Sequence, residues 1–371
     1  MARVTFTRKL EIRCFCGYLL GESFGYKPDR RRSVFFAMTN RKVNARLTYL
    51  ARSVESSLYH NSKVFTHRDR DGNDGPYHGV LTEERDVSIN DARRLDESRG
   101  RQLEVHGFEL LHRPMQRPNL DFFDNRQVLQ EYYPECGEMV RRATNAACVF
   151  AFDHNIRWAA GNDRGKRIAG GQLVQRPIHV VHGDYTLASA PRRVRDLARP
   201  PGVNDTLRSV LEEGESLLTA DLVSSALDGS KRFVLINVWR NIDESPVVSD
   251  PLALCDGQSV TPDDLVVFEI LYHDRTGENY LAKYAPRHEW WYYPLMTREE
   301  VVLIKQWDSA GELARCGGAR ANSSEDNGDA PCTFSFHTAF RDPNTPTDAP
   351  ARQSIEVRCI AFFSERGNGA T

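Results

Sequence analysis

His182, Gly183 and Asp184 put an imidazole and a carboxylate two positions apart. In an extended chain residues i and i+2 share a face, so both side chains can reach one metal ion. A third donor from a distant strand would complete a set of two imidazoles and one carboxylate. Such a set leaves positions open on octahedral Fe(II), which suits work on dioxygen. His337, in FSFHTAF, is the best third donor. Beyond it come Arg352 and Ser354, an arginine and a hydroxyl two residues apart. That pair can grip the far carboxylate of a short diacid such as 2-oxoglutarate, whose keto-acid end would chelate iron. Arg358 rivals Arg352 on the same strand face. Each residue also has a plainer reading: His182 at a strand end before a turn, His337 bonded to backbone in the core, Arg352 on the surface after a loop.

These side chains need strands to hold them. The segments 105–114, 146–157, 176–186, 231–242, 263–272, 332–340 and 353–363 read as strands, being rich in β-branched and aromatic residues. Residues 278–296 read as a hairpin. Asp124 to Thr144 reads as an amphipathic helix interrupted near Pro134. Asn204 or Asp205 can cap a helix running to about Leu227. Thr297 with Glu300 forms a capping-box pattern that predicts a helix through Trp307, with Lys305 on its solvated face. Residues 60–105 are polar and read as irregular. Residues 310–331 are rich in Gly, Ser, Asn and Asp and read as a surface insertion or lid. Residues 1–40 read as a separate extension ahead of a single domain over 41–371. Strands outnumber helices and do not alternate with them. An antiparallel double-sheet barrel with flanking helices fits better than a doubly wound parallel sheet.

Competing constellations are weaker. Asp153 and His154 are adjacent, so they point to opposite faces of a strand and cannot share a metal. His179 lies three residues before His182, on the other face. His288, Trp290, Trp291, Tyr292 and Tyr293 read as sheet packing rather than a substrate wall. The chain has 371 residues, is 40% hydrophobic and 27% charged, and balances 49 Lys and Arg against 51 Asp and Glu. That near-neutral balance argues against a nucleic-acid binder. No apolar run is long enough for a membrane span. Charges through the first twenty residues break up any signal-peptide core. Eight cysteines, Cys14 and Cys16 as a C-x-C pair without a second pair nearby and the other six scattered, suit a reduced, cytoplasmic protein.

Blocks in a fixed order carry a family resemblance. They include ARLTYLA (45–51), HGFEL (106–110), FDHNIR (152–157), VQRPIHVVHGDYT (174–186), INVWRNI (236–242), SDPLALCDGQSVTPDDLV (249–266), YPLMTREEVVLIKQWDS (293–309) and HTAFRDPNTPTDAPARQSIEVR (337–358). Together they resemble the fungal and bacterial hydroxylase/desaturase family related to the CmcJ protein of cephamycin methoxylation and to gibberellin desaturases. The resemblance implies a mainly β, double-stranded β-helix (jelly-roll, cupin-like) core. It implies an Fe(II)- and 2-oxoglutarate-dependent dioxygenase that hydroxylates, desaturates or cyclises a small molecule of secondary metabolism. It matches His182, Asp184 and His337 to the metal ligands. It matches Arg352 and Ser354, with Arg358 as rival, to the co-substrate clamp. Arg157, Tyr185, Trp239 and Arg240 are expected around the substrate. A small molecule and dioxygen are the expected partners, without nucleic acid or membrane; a homodimer is an allowed assembly. A 2-oxoglutarate-independent iron oxidase and a non-catalytic binding subunit are the alternatives. Gly183 stands where the family carries an apolar residue, and 310–331 is longer than its usual loop.

Overall fold

The computed structural model describes residues 42–69, 74–95, 102–202, 205–273, 275–323 and 330–364. The extension read over residues 1–40 lies outside them. The described residues fall in one compact unit. In chain order the strands are β1 (Val43–Leu50), β2 (Phe65–His67), β3 (Thr82–Asp91), β4 (Phe108–His112), β5 (Cys148–Arg157), β6 (His182–Gly183) and β7 (Phe233–Asn241). Then follow β8 (Leu252–Cys255), β9 (Leu265–Leu271), β10 (Thr276–Ala282), β11 (Trp290–Tyr292), β12 (Glu300–Asp308), β13 (His337–Ala339) and β14 (Ser354–Phe362). One sheet has the order β1-β3-β11-β8-β13-β6-β10-β9-β2, the other β4-β12-β7-β14-β5. The pairings β11–β3 and β2–β9 are parallel and the rest antiparallel. The two sheets form the jelly-roll that the sequence suggested.

The central strands β7, β12 and β14 of the five-stranded sheet are buried on both sides almost throughout, which explains their near-continuous apolar runs. Every residue of FVLINVWRN in β7 is buried. The helix Tyr133–Thr144 covers the outer side, with Tyr132 at its start and Met139 and Val140 buried along it. Asp124 caps this helical region, and its carboxylate accepts from the Arg126 and Gln127 amides. The interruption is a π-turn over Val128–Tyr132, with Pro134 in the first turn of the segment that follows. Facing residues in paired strands share a side. Ser354, Glu356 and Arg358 of β14 therefore share the inner side with Asn241, Trp239 and Asn237 of β7 and with Arg157, Asn155 and Asp153 of β5.

Four sequence expectations are corrected. Thr297 and Glu300 do make the capping contact, with the Thr297 amide donating to Glu300 Oε2 at 2.9 Å. Yet the chain continues as β12, because Val301, Val302, Leu303 and Ile304 are buried between β4 and β7, where β-branched side chains fit. Lys305 is accordingly buried at 1% exposure, its ammonium 3.0 Å from Asp308 and 3.1 Å from Glu104. Residues 278–296 do not form a hairpin: β10 pairs with β6 and β9, whereas β11 pairs with β3 and β8. The polar stretch 60–105 contains the ten-residue strand β3, whose charged residues lie on a sheet partly open to solvent. The long helix to Leu227 is two pieces, Thr206–Ser209 and Ala220–Leu227, the second capped by Thr219; Gly214 between them has φ +85°. Residue 204, the alternative cap, lies outside the described residues. No described helix is long and apolar enough to cross a membrane.

Candidate metal centre

His182 and His337 meet because β6 and β13 are neighbours and pair these two residues directly. Their rings lie 4.3 Å apart, centroid to centroid. Asp184 follows β6 by one residue and turns to the same side. Each of the three offers a ligand atom, and all these atoms lie within 4.8 Å of one another. The spacing read as H-x-D plus a distant histidine is therefore one buried cluster. His179 is elsewhere, 3.4 Å from the Asp250 carboxylate.

The surroundings fix the donor atoms. His182 Nδ1 lies 2.8 Å from the Val180 carbonyl, a bond it makes as donor, which leaves Nε2 facing Asp184 Oδ1 at 3.8 Å. Burial, and then the neighbouring His337, bring His182 down to about 4. Burial likewise brings His337 down to about 4. Both rings are thus neutral at pH 7, with lone pairs available to a cation. Burial alone would raise the Asp184 carboxyl, but Arg358 and the two histidines outweigh it and hold the group well below the usual range. Its Oδ2 accepts from Asn237 Nδ2 at 2.8 Å and Arg358 Nε at 3.1 Å, so Oδ1 is left toward the histidines. A dry site with two neutral imidazoles and one ionised carboxylate suits a divalent iron.

Two residues at the cluster escaped the sequence reading. Gln306 receives the Asp184 amide on Oε1 at 3.0 Å, and its Nε2 lies 3.4 Å from His337 Nδ1. It sits in a register break of β12 between Lys305 and Trp307, and a bulge of this kind re-aims a side chain that strict alternation would place elsewhere. Glu356 is buried, with Oε2 4.0 Å from His337 Nε2. Its position between Ser354 and Arg358 at spacing two was the available signal.

The remaining candidates separate. Arg358 is committed to carboxylates: Asp184, Asp153 at 2.9 Å and Glu356 at 3.4 Å. Arg352 donates to the Asp250 carbonyl and lies over the Trp239 ring at 5.6 Å. Its Nε is buried without a partner. Burial, then the nearby Arg157, bring its guanidinium down to about 10, so it stays cationic at neutral pH. Ser354 is buried directly across from Arg157. Arg157 itself donates to Gln175 Oε1 at 3.2 Å and the Arg176 carbonyl at 3.0 Å. Tyr185 and Asp184 line a cleft of about 210 Å³ together with Asp153, Asn155 and Arg358. Arg240 does not reach the cluster, and its expected place at the substrate is corrected. It points from the outer side of β7 to Tyr132 (2.9 Å), the Arg298 carbonyl (2.6 Å) and Glu135 (3.5 Å), because alternation along β7 turns it away from Asn237 and Trp239. Asp153 and His154 diverge as expected: Asp153 meets Arg358, and His154 meets the Tyr133 hydroxyl at 2.9 Å under the helix. The aromatic run packs: Trp290 Nε1 donates to the Tyr49 hydroxyl at 2.8 Å and His288 Nε2 lies 3.1 Å from Asp264.

Comparison with known proteins agrees with this geometry. The family described as "Oxidoreductase/YMDC permease-like domain" matches residues 47–362. A protein of Methylophilus leisingeri, named only as uncharacterized in the dcmA 3' region, is 45% identical over 207 residues, covering 56% of this chain and 94% of its own. The "Hydroxylase/desaturase efuI" of Hormonema carpetanum is 25% identical, over 76% of this chain and 84% of its own. The "Fe(II)/2-oxoglutarate-dependent dioxygenase nvfI" of Aspergillus novofumigatus is 27% identical, over 74% of this chain and 82% of its own. Among solved structures, the "iron and alpha-ketoglutarate-dependent endoperoxidase NvfI" shares the fold at a TM-score of 0.64 and 22% identity, covering 87% of this chain and 99% of that one. With a jelly-roll closed around a His-Asp-His cluster and a family match over most of its length, the chain belongs to the oxidoreductase/YMDC permease-like domain family and is a relative of the hydroxylase/desaturases.

Proposed function

We propose that the protein is an Fe(II)- and 2-oxoglutarate-dependent dioxygenase that oxidises a C–H bond of a small molecule in secondary metabolism. The observation that carries this is the buried cluster of His182, Asp184 and His337, in a chain whose relatives are named as such dioxygenases. The three side chains hold the metal; iron with 2-oxoglutarate, when bound, supplies the activation of dioxygen. Asn237 and Arg358 keep Asp184 ionised and turned to one side, and Gln306 steadies both Asp184 and His337. Arg352, with its unpartnered Nε, and Ser354 receive the far carboxylate of the co-substrate. Tyr185 lines the cleft on the substrate side, Arg157 stands on the inner side of β5 across from Ser354, and Trp239 forms a wall under Arg352.

The independent-oxidase alternative needed both arginines to turn from the metal. Arg358 touches Asp184, and Arg352 stacks on Trp239, whose register partner Glu356 is 4.0 Å from His337. These contacts favour the co-substrate reading. The six cysteines among the described residues are all free, which supports the cytoplasm as the place of work. Anaerobic Fe(II) titration with 2-oxoglutarate tests the proposal. A visible charge-transfer band is expected for the unaltered protein and none for His182→Ala. Iron binding without the band would favour the oxidase; no iron binding at all would sink the enzyme reading.

A further inference from the structure

Glu356 has no task in the function above, yet it lies against the centre. It is 5% exposed and stands on the inner side of β14 between Ser354 and Arg358. Arg358 treats it as it treats Asp184. One nitrogen of the guanidinium holds Asp184 Oδ2 and another holds Glu356 Oε1. In each carboxylate one oxygen is tied back and the other is turned to the histidines. Glu356 Oε2 is 4.0 Å from His337 Nε2, much as Asp184 Oδ1 is 3.8 Å from His182 Nε2. Two donors held by one ion at about 2.1 Å each can stand no more than roughly 4.2 Å apart, and neither gap exceeds that limit. Glu356 is not within the mutual 4.8 Å of the other three, so its side chain has to rotate to join them. Its extra methylene relative to aspartate gives it that freedom.

We propose that Glu356 is a fourth, displaceable ligand of this centre. The inference rests on the metal reading of His182, Asp184 and His337. When no co-substrate is present, Glu356 Oε2 takes one of the positions those three leave open. A 2-oxo acid gripped by Arg352 and Ser354 approaches from the side of β14 that also carries Glu356, so one of the two positions it takes is the one Glu356 holds, and Glu356 swings back onto Arg358 to free it. The step exchanges one oxygen donor for others, with no change in oxidation state and no covalent bond to carbon made or broken. The consequence is a covered centre while the protein idles and an open one once the co-substrate arrives.

Linkage gives opposite signs for the two affinities. A ligand that must leave strengthens metal binding and weakens co-substrate binding. The test uses Co(II), followed by its visible bands, and then 2-oxoglutarate added to the Co(II)-loaded protein. In Glu356→Gln, Co(II) should bind about tenfold more weakly, the scale typical of lost support around a metal site. 2-Oxoglutarate should then bind more tightly than to the unaltered protein. The Co(II) bands of the two proteins should differ before 2-oxoglutarate is added and coincide after it. Glu356→Asp, which keeps the charge for Arg358 but shortens the reach, should shift both affinities the same way if Glu356→Gln does not fold. Unchanged bands before the co-substrate would overturn the proposal, since a charge acting through space moves affinities without entering the coordination shell. Both affinities falling together would overturn it too, and would mark Glu356 as a prop for Arg358. Failure of the unaltered protein to bind Co(II), or undiminished binding in His182→Ala, would instead sink the metal reading on which the proposal stands.

Discussion

Arg352 and Arg358 lie on one side of the same segment but differ in what they hold. Arg358 is bound by three carboxylates, whereas Arg352 has a buried, unpartnered Nε. Arg352→Met should therefore weaken 2-oxoglutarate binding by about a hundredfold, the worth of a charged hydrogen bond or two at about 1.5–3 kcal/mol each, and leave Co(II) affinity near normal. Arg358→Met should do the reverse, weakening Co(II) by freeing Asp184 from its restraint. Titrations of both ligands on both variants check this, and equal effects on the two would contradict it. His154 supplies a pH signature away from the metal. Burial lowers it from 6.5 to about 4. The unfolded chain then binds the extra proton between these values, so folding stability rises with pH across that window and is lost as pH falls from about 6.5 toward 4. His154→Gln should flatten the dependence by up to about 1.4 kcal/mol per pH unit, read from urea midpoints at several pH values. A variant with the slope of the unaltered protein would show that His154 is not the group.

β12 shows how an element overrides its own start signal. The turn at Thr297 and Glu300 would open a helix on an exposed surface. Here Val301 to Ile304 are fully buried between β4 and β7, and a helix would tear both ladders. The same burial forces Lys305 to take partners, Asp308 and Glu104, with Arg232 sharing both carboxylates. Removing one partner of a buried pair leaves an uncompensated charge. Asp308→Ala should cost about 3–5 kcal/mol, whereas an exposed pair such as Arg46 with Glu84 should cost under about 1 kcal/mol. Denaturant midpoints of the two variants separate the cases, and similar losses would refute the burial argument. The loop at 310–331 also does more than cover surface. Asn322 is fully buried and bonds the carbonyls of Gly257 and Phe334 and the amides of Thr333 and Phe334. It fastens the segment that leads into the His337 strand.

At the scale of the whole molecule, the centre exists because two sheets face each other. The nine-stranded sheet brings His182, Asp184 and His337; the five-stranded sheet brings Asn237, Gln306, Glu356 and Arg358. A chain beginning at Arg41 retains every described element and the family match. It should bind Co(II) and 2-oxoglutarate as the full chain does, measured by the same titrations; a loss of either would give residues 1–40 a part in the site. What the sequence determined by itself was local. The H-x-D pair, the strand-rich segments around it and the arginine two residues before Ser354 follow from spacing and side-chain type. The same reading offered the distant His337 as third donor, and the family resemblance matched it to the set. Tertiary structure decided whatever depends on who lies opposite. It set Arg240 outside and Trp239 inside, because alternation has a direction only once one side is packed. It turned VVLIKQW into a strand, because two neighbours offered hydrogen bonds that a helix could not use. It aimed Gln306 inward through a bulge, which no periodicity encodes. It placed Glu356 beside His337, since that contact joins two sheets whose facing rows are fixed by packing rather than by any short stretch of residues.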